Sequence, residues 1–218
     1  MVCDFTGADE GLVQKLLNIS WNEMGTSHSP NREQGYRYYH GKRASKLACE
    51  IARNEHLCEK INCISLIAAS LFHDIGKCMP ENDYDDHAKR GSIAVGKLLS
   101  GLFCRDSHKV VTEAIYWHNK RDESPDTLCV EGLILQDADI LDHFGAQAVW
   151  LTIFNTAVDN NSVDEALKLW DSDQMNSWTD YAAGHLNFPT SQAAMQKRLD
   201  RTEQFFRHLR RENAGHLF

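Results

Sequence analysis

Proline is scarce in this chain, with four residues among 218, and the sequence has no low-complexity tract. Both absences argue against long disordered linkers. No run reaches the roughly 18 uncharged apolar residues that a membrane-spanning helix needs. The N-terminal segment 1–5 also lacks the basic region and apolar stretch of a signal peptide. We therefore expect a single cytoplasmic domain over residues 1–218, with no membrane partner.

Basic residues are also fewer than acidic residues. The 23 lysine and arginine residues stand against 31 aspartate and glutamate residues, which gives a formal net charge of −8. Proteins that bind nucleic acid mainly through its phosphates need a basic surface, so we expect no nucleic-acid partner. An acidic protein can still bind a small phosphorylated molecule if a metal ion supplies the positive charge.

The cysteines form no recognisable framework. Their total of seven is odd, and no two of them stand two residues apart. Several lie within apolar stretches of helical character. We therefore expect reduced thiols that pack as small core residues, rather than disulfides or a zinc ribbon.

What the sequence does contain is helical periodicity. Apolar residues recur three and four positions apart, and no stretch sustains the period of two that strands show, so the fold class is predicted to be all-α. Ser162 and Glu165 have the spacing of a capping box. Residues 160–189 could form a mobile excursion, and 170–188 is ambiguous between a lid and a plain connector. Helices are predicted at about 9–19, 32–56, 61–75, 83–102, 107–119, 129–159, 162–170 and 191–212.

Polar side chains occupy the apolar faces of five predicted helices. His40 shares a face with Ala44 and Leu47, and Asp74 extends the face of Leu71. Burying a polar group without a partner costs about 2–7 kcal/mol, whereas one or two shared cations would satisfy all of these groups together. Neutral imidazole and carboxylate are common metal ligands. The candidate ligands are His40, His73, Asp74, His87, His118 and Asp139.

Each candidate also has an ordinary structural interpretation. A lone histidine on an apolar face is more often a hydrogen-bonded core residue than a ligand, and Asp139 could simply cap or pair, with Asp137 and Asp142 nearby. The number of coincidences, rather than any single residue, favours a metal centre. The other histidines lack this pattern and are interpreted as surface or structural residues: His28, His56, His108, His143, His185, His208 and His216.

Three segments, in this order, resemble the HD superfamily of metal-dependent phosphohydrolases. Residues 39–44 look like the helix with the first histidine, residues 71–77 like the His-Asp signature, and residues 136–142 like the helix with the terminal aspartate. The last segment is similar to that of small bacterial HD hydrolases. The resemblance covers about residues 36–149, which we take as the HD core, with helical extensions on both sides.

The resemblance implies a helical bundle in which one metal is held by His40, His73, Asp74 and Asp139. Members with two metals carry two further histidines between the His-Asp pair and the last aspartate. His87 and His118 fit these places, so we expect two divalent ions with Asp74 between them. Asn119 stands where many two-metal relatives have a second histidine. The ligand types suit Fe, Mn, Co, Ni or Zn and do not distinguish among them.

The resemblance further implies a phosphohydrolase or phosphodiesterase that acts on a nucleotide or another small phosphorylated metabolite through a metal-activated water. Asp74 is expected to serve catalysis as the shared carboxylate. Lys77 could contact the phosphate as a point charge, or could be a solvated lysine beyond a helix end. Arg43 could likewise bind substrate, or could merely pair with an acid.

Two other function classes stay open. The same arrangement of six ligands resembles the di-iron oxygenases of this superfamily, which cleave inositol or organophosphonates. A non-catalytic sensor domain is the third class, although such modules usually lose ligands. Ile75–Cys78 stand where guanosine-tetraphosphate hydrolases of the superfamily carry an acidic pair, which argues against that substrate.

The last predicted helix carries a basic patch in this acidic protein. The patch is either a solvated face or a surface that steers substrate or contacts a partner. It comprises Lys197, Arg198, Arg201, Arg207, Arg210 and Arg211.

Overall fold

The computed structural model describes residues 9–80 and 86–217. Within these ranges the chain is helical and contains no strand, which confirms the predicted all-α fold. Short 3₁₀ turns lie at Ile75–Cys78 and Arg121–Glu123. The α-helices, numbered along the chain, are α1 (Glu10–Met24), α2 (Tyr36–Asn54), α3 (Cys63–Phe72), α4 (His87–Leu98), α5 (Arg105–Trp117), α6 (Val130–Asp142), α7 (Ala146–Val158), α8 (Val163–Trp170), α9 (Asp173–Gly184) and α10 (Pro189–Asn213).

Side-chain caps explain where several helices begin. Asp9, Asn62 and Asp86 each accept a hydrogen bond from the backbone N–H three residues later, at the starts of α1, α3 and α4. Ser162 caps α8 in the same way, as predicted. These caps satisfy donors that the first turn of a helix leaves without an intrahelical acceptor.

Helix α3 lies at the centre of the fold. Nine of its ten residues are buried, and it packs against α2, α5 and α6. Its Leu66 and Ile67 belong to one apolar cluster, whereas its Leu71 and Phe72 belong to a second. A helix that is apolar on every face belongs in the interior. The His-Asp pair at the end of α3 is therefore placed deep within the fold.

Two glycines bring neighbouring helices close to this pair. A Cβ atom at Gly41 of α2 would lie 2.3 Å from the carbonyl oxygen of Leu71, so α2 and α3 approach backbone to backbone. A Cβ atom at Gly76 would lie 1.9 Å from the carbonyl oxygen of His87, so the 3₁₀ turn after α3 lies directly against the start of α4. These close approaches draw His40 and His87 toward the end of α3.

The predicted single helix over residues 129–159 is wrong, because α6 and α7 are separate helices. Gly145 between them has a φ of +80°, which a right-handed helix cannot contain. Arg198 of α10 donates hydrogen bonds to the carbonyl oxygens of Leu141 and Phe144, which satisfies the end of α6. This contact comes from a distant helix, and the local periodicity gave no sign of it.

The structure bears on four further expectations. The ambiguous segment 170–188 contains α9, whose Trp178 stacks on Phe144 with ring centroids 6.2 Å apart. The helix predicted at 83–102 begins at His87 in the described residues, since 81–85 lie outside them. No cysteine in the described part of the chain forms a disulfide bond. None of the described helices is both long and apolar enough to cross a membrane.

Candidate metal centre

All six predicted ligands lie together where five helices converge. One comes from the second turn of α2, two from the end of α3, one from the first residue of α4, one from the end of α5, and one from α6. In that order they are His40, His73, Asp74, His87, His118 and Asp139.

The first ligand group consists of His40, His73 and Asp139, and it could hold a metal ion. The Nε2 atoms of His40 and His73 are 3.1 Å apart. Oδ1 of Asp139 lies 3.2 Å from Nε2 of His40 and 3.5 Å from Nε2 of His73. Both imidazole rings are completely buried, so water does not satisfy them.

The second ligand group consists of His73, Asp74 and His118, and it could also hold an ion. Oδ1 of Asp74 lies 3.7 Å from Nε2 of His118 and 3.6 Å from Nε2 of His87. The Nε2 atoms of His87 and His118 are 3.2 Å apart. Asp74 therefore lies between histidines from both sides of the cluster.

Hydrogen bonds on the far side of each ring orient the imidazoles. Nδ1 of His73 lies 2.8 Å from the carbonyl oxygen of Ser70, and Nδ1 of His118 lies 2.6 Å from that of Ile115. A carbonyl oxygen only accepts, so each Nδ1 carries a proton and each neutral ring keeps its lone pair on Nε2. Lone pairs that converge in this way suit coordination of a cation.

Their surroundings keep the rings of His87 and His118 neutral. Burial, together with Lys77 and His118, lowers the pKa of His87 to about 3. Burial also lowers the pKa of His118, and the neighbouring His73 adds to this effect. Neutral imidazole is the form that coordinates metals.

His40 behaves differently because two carboxylates contact it. Burial lowers its pKa, but hydrogen bonds with Asp139 and Asp142 outweigh burial and raise the pKa to about 9. Nδ1 of His40 donates to Oδ2 of Asp142 at 2.7 Å, whereas its Nε2 faces Asp139. A metal ion bound at Nε2 would have to displace the proton that His40 shares with Asp139.

Asp74 provides a direct test of whether these residues fit a cation. Burial raises the pKa of Asp74, but His73, His118 and Lys77 more than offset it and hold the pKa well below its usual range. Its Oδ1 is buried and accepts no hydrogen bond, although Nζ of Lys77 lies 2.9 Å away. A buried carboxylate oxygen without a hydrogen bond is costly. The donor set and this oxygen therefore fit a divalent ion.

Cationic side chains surround the ligand carboxylates. Nη1 of Arg37 donates to Oδ2 of Asp74 at 2.7 Å, and Nη2 of Arg121 donates to Oδ2 of Asp139 at 2.8 Å. Lys77 also contacts Asp74, as noted above. Neither Arg37 nor Arg121 was predicted as a site residue from the sequence. Arg37 lies three residues before the first histidine, hence on the same helical face, but Arg121 lies in a 3₁₀ turn without periodicity.

Arg43 pairs with an acid, which was one of the two interpretations left open. Its Nε lies 2.9 Å and 3.1 Å from the two carboxylate oxygens of Asp142. Asp142 in turn holds Nδ1 of His40. Arg43 therefore reaches the ligand group through one intermediate side chain, Asp142, and a direct contact with substrate stays a prediction.

His143 also lies at the site, although it was interpreted as a surface or structural residue. Its ring centroid is 4.8 Å from that of His40, and its Nδ1 lies 2.8 Å from the carbonyl oxygen of Asp139. Burial and the charge of His40 lower the pKa of His143 to about 4. The residue lines a cavity of 360 Å³ beside the cluster, together with Trp178. Its position four residues after Asp139 was the available signal.

The sequence profile of the HD domain matches residues 37–143. A predicted HD superfamily hydrolase from an uncultured Thermotogales bacterium has 23% identity and a TM-score of 0.65, over 96% of this chain and 98% of that one. An HD-superfamily hydrolase from Bacillus thuringiensis has 19% identity and a TM-score of 0.66, over 93% and 97%. Bacillus subtilis YpgQ in complex with ADP has 16% identity and a TM-score of 0.66, over 93% and 95%. No curated protein matches significantly.

The chain therefore carries an HD domain at residues 37–143, as its motifs predicted. The similarity in fold also extends beyond residues 37–143 over nearly the whole chain. The family and the His/Asp groups together support a metal-dependent hydrolase.

Proposed function

We propose that this protein is a phosphohydrolase or phosphodiesterase that uses two divalent transition-metal ions and acts on a nucleotide or another small phosphorylated metabolite. The observation that carries the proposal is the position of Asp74. Its buried Oδ1 lies 3.6 Å and 3.7 Å from the Nε2 atoms of His87 and His118, and 3.9 Å from Nε2 of His73. One carboxylate can thus serve two adjacent ligand groups.

The proposed division of ligands follows these distances. The first ion would be held by His40, His73 and Asp139, and the second by His87 and His118, with Asp74 shared. When bound, two such ions polarise a phosphate oxygen and lower the pKa of a water molecule. No nucleophilic serine or cysteine is required.

Three cations are suited to hold the phosphate. Arg37 and Lys77 contact Asp74, and Arg121 contacts Asp139. Coordination by these carboxylates would reduce their attraction for the three cations. The guanidinium and ammonium groups would then be available to phosphate oxygens at the edge of the cluster, where arginine can bind in bidentate fashion. Lys77 is the most exposed of the three, at 34%.

The cavity beside His143 is suited to the organic part of the substrate. It measures 360 Å³, which lies within the roughly 300–1,000 Å³ of typical ligand pockets. Its walls include Leu151, Met175 and Trp178, and Arg32 also lines it. An apolar and aromatic wall beside a phosphate site suits a nucleobase. The complex of Bacillus subtilis YpgQ with ADP supports a nucleotide for this chain too.

Arg43 has two roles open within this proposal. Its contact with Asp142 supports a positioning role, because Asp142 fixes the orientation of the His40 ring. The direct contact with a substrate phosphate, which the resemblance implied, would require Arg43 to leave that carboxylate.

The proposal is tested by loading the full chain separately with Mn, Fe, Co, Ni and Zn and counting bound ions. Each form is then incubated with a panel of nucleoside mono-, di- and triphosphates, and released phosphate and pyrophosphate are measured. We expect two ions per chain and hydrolysis that a chelator stops. Binding of metal without phosphate release from any member would overturn the hydrolase assignment.

The same preparation separates the oxygenase alternative. The iron form is loaded without oxygen, exposed to oxygen, and followed with an oxygen electrode in the presence of inositol and an organophosphonate. Our proposal expects no substrate-dependent oxygen uptake. Uptake coupled to loss of either compound would establish the alternative class.

A further inference from the structure

A second cavity lies on the other side of Asp142 from the ligand cluster. It measures 610 Å³ and lies among α2, the turn after α6, and α10. We call it the α2/α10 cavity. Asp142 lines it and also accepts the hydrogen bond from Nδ1 of His40, so one carboxylate separates this cavity from the candidate metal centre.

The α2/α10 cavity concentrates positive charge in an acidic protein. Its acidic lining residues are both engaged: Glu50 pairs with Arg53, and Asp142 pairs with Arg43. Its cationic lining residues are Arg43, Lys46, Arg198 and Arg201.

Two of these cations are free to meet a ligand. Lys46 and Arg201 are exposed, and neither side chain forms a hydrogen bond or an ion pair with any part of the chain that the structure describes. Arg198 donates to the carbonyl oxygen of Phe144 at 3.1 Å. Burial, with a smaller contribution from the charge of Arg201, lowers the pKa of Arg198. Like charges gathered around one cavity favour an anionic occupant.

The remaining walls of the cavity are apolar. Leu47 and Val149 line it, as does Phe205, whose side chain is 40% exposed. Inorganic phosphate alone would leave this apolar surface without a partner. A ligand that joins phosphates to a flat ring would satisfy both kinds of wall. The volume also falls within the roughly 300–1,000 Å³ of small-molecule sites.

We propose that the α2/α10 cavity is a second binding site, for a nucleoside phosphate whose phosphates contact Lys46 and Arg201 and whose base lies against Phe205. This site is distinct from the cavity beside His143, which is assigned to the substrate. The two cavities are separated by the turn after α6, and Phe144 of that turn contributes to both.

A chain of side-chain contacts links the α2/α10 cavity to the candidate metal centre. The inference that they are coupled rests on the proposed function. Arg43 lines the cavity and binds Asp142, and Asp142 binds His40. Nη2 of Arg43 is buried without a hydrogen bond, so the present contact does not satisfy the whole guanidinium. An anion that draws Arg43 toward the cavity would free one side of the Asp142 carboxylate, which holds the His40 ring in place. Occupancy of the cavity and of the metal centre would then be coupled, and by linkage the coupling acts in both directions.

The first experiment counts ADP sites by calorimetry on the full chain loaded with its metal. We expect two ADP per wild-type chain and one for the double variant Lys46→Glu/Arg201→Glu. The affinity of the α2/α10 cavity should fall by at least about tenfold, because two charged contacts are reversed. Lys197→Glu is the matched control, since Lys197 is exposed on the same helix and does not line the cavity. It should bind ADP like the wild type.

The pattern of outcomes separates the two proposals. If the substrate assignment fails, the wild type binds one ADP and the double variant none, which still supports the α2/α10 cavity. Equal stoichiometry and affinity in the wild type and the double variant would overturn the second site. Thermal melting of Lys46→Gln/Arg201→Gln checks that loss of binding does not reflect unfolding, and this milder variant should also bind more weakly.

A second experiment tests the ring and the coupling. Phe205→Ala should weaken ADP at the α2/α10 cavity and leave inorganic pyrophosphate there unchanged, and an equal effect on both probes would contradict a nucleoside ligand. For the coupling, the change in metal affinity caused by ADP is compared in the wild type and in Lys46→Glu/Arg201→Glu, because ADP at the proposed substrate site affects both proteins alike. We expect the change to differ in the double variant, which should not bind ADP in the α2/α10 cavity. An equal change in the two proteins would overturn the coupling route.

Discussion

Oδ2 of Asp142 accepts a hydrogen bond of 2.7 Å from Nδ1 of His40, although the two residues are 102 positions apart in the chain. Both side chains are almost fully buried, and Arg43 holds the other face of the carboxylate. The imidazole is thus fixed with its Nε2 toward Asp139 and His73. This hydrogen bond joins α2 to α6. Asp142 thus orients the predicted ligand His40, although it contacts neither His73 nor Asp139.

Replacement of this carboxylate should weaken the metal centre without dismantling it. We expect Asp142→Asn to bind metal about 10- to 100-fold more weakly, because a carboxylate behind a ligating histidine raises its basicity. The measurement is competition with a chromophoric chelator. Asp159→Asn, at an exposed position, serves as the control. Metal affinity within twofold of the wild type in Asp142→Asn would mean that this contact has only a structural role.

Removal of Asp74 should have a larger and different effect. We expect Asp74→Ala to lose metal binding and hydrolysis together, since one carboxylate is proposed to serve both ions. Bound metal is counted by mass spectrometry after desalting, and hydrolysis is followed on the best nucleotide. Asp86→Ala offers a comparison, because Asp86 is the nearby cap of α4 and is not a predicted ligand. Wild-type metal content in Asp74→Ala would show that Asp74 is not a ligand.

The close approach of α2 and α3 can be tested with a single methyl group. We expect Gly41→Ala to lower the free energy of unfolding by about 1–3 kcal/mol, because its Cβ would meet the backbone carbonyl of Leu71 and force the helices apart. Denaturant unfolding provides the measurement. Gly96→Ala in α4 is the matched control, since its Cβ would find nothing closer than 3.5 Å. That control should be neutral or slightly stabilising, because alanine favours a helix over glycine by about 1 kcal/mol.

The six candidate ligands could be predicted from the sequence because each continues or ends the apolar face of its own predicted helix. His40 continues the stripe of Ala44 and Leu47, and the His-Asp pair ends an apolar helix. Periodicity and motif order carry that information locally. The same reasoning extended one helix through Gly145, because the break depends on Arg198 of a distant helix.

The residues that support the cluster were harder to predict. Arg121 reaches Asp139 from a short 3₁₀ turn, where no periodicity marks the direction of a side chain. His143 follows the last turn of α6, and its place beside His40 depends on how α2 packs against α6. Such contacts arise from tertiary packing, which spacing along one helix does not encode.

Asp122, in the 3₁₀ turn before α6, contacts Tyr181 and His185 at the end of α9. We call this contact the latch, and we expect it to make the stability of the fold depend on pH. His185 contacts Asp122 at 2.7 Å, and Tyr181 donates to the same carboxylate at 3.0 Å. The Tyr181 carbonyl and then Asp122 raise the pKa of His185, whereas His185 and Tyr181 lower the pKa of Asp122. The contribution of His185 is present below its ordinary pKa of about 6.5 and is lost as pH rises through the raised value. That of Asp122 is present above about 3.9 and is lost in stronger acid.

The latch is tested by melting the wild type and Asp122→Asn across this range of pH. We expect the variant to melt at a lower temperature between about pH 4 and pH 6.5, and the difference to shrink as pH rises beyond that window. Asp126→Asn, at an exposed position in the same connection, should follow the wild type throughout. A difference that stays constant at alkaline pH would show that charge on His185 does not contribute.

The last prediction concerns the cavity beside His143. Trp178 lines this cavity, stacks on Phe144, and meets the ring of His143 edge-on at 6.5 Å. We expect Trp178→Ala to raise KM for a nucleotide by about tenfold or more, because stacking of a base on an aromatic ring contributes about 1–3 kcal/mol. Bound metal should stay unchanged, since Trp178 is not a predicted ligand.

Steady-state kinetics and metal counting on one preparation provide the measurement, and Trp150→Ala is the matched control. Trp150 is 48% exposed on α7 and does not line the cavity, so its loss should leave KM as it is. Trp178→Phe should recover most of the affinity, because a flat ring is retained. A fall in kcat with unchanged KM in Trp178→Ala would instead indicate that α9 positions the metal ligands and does not contact the substrate.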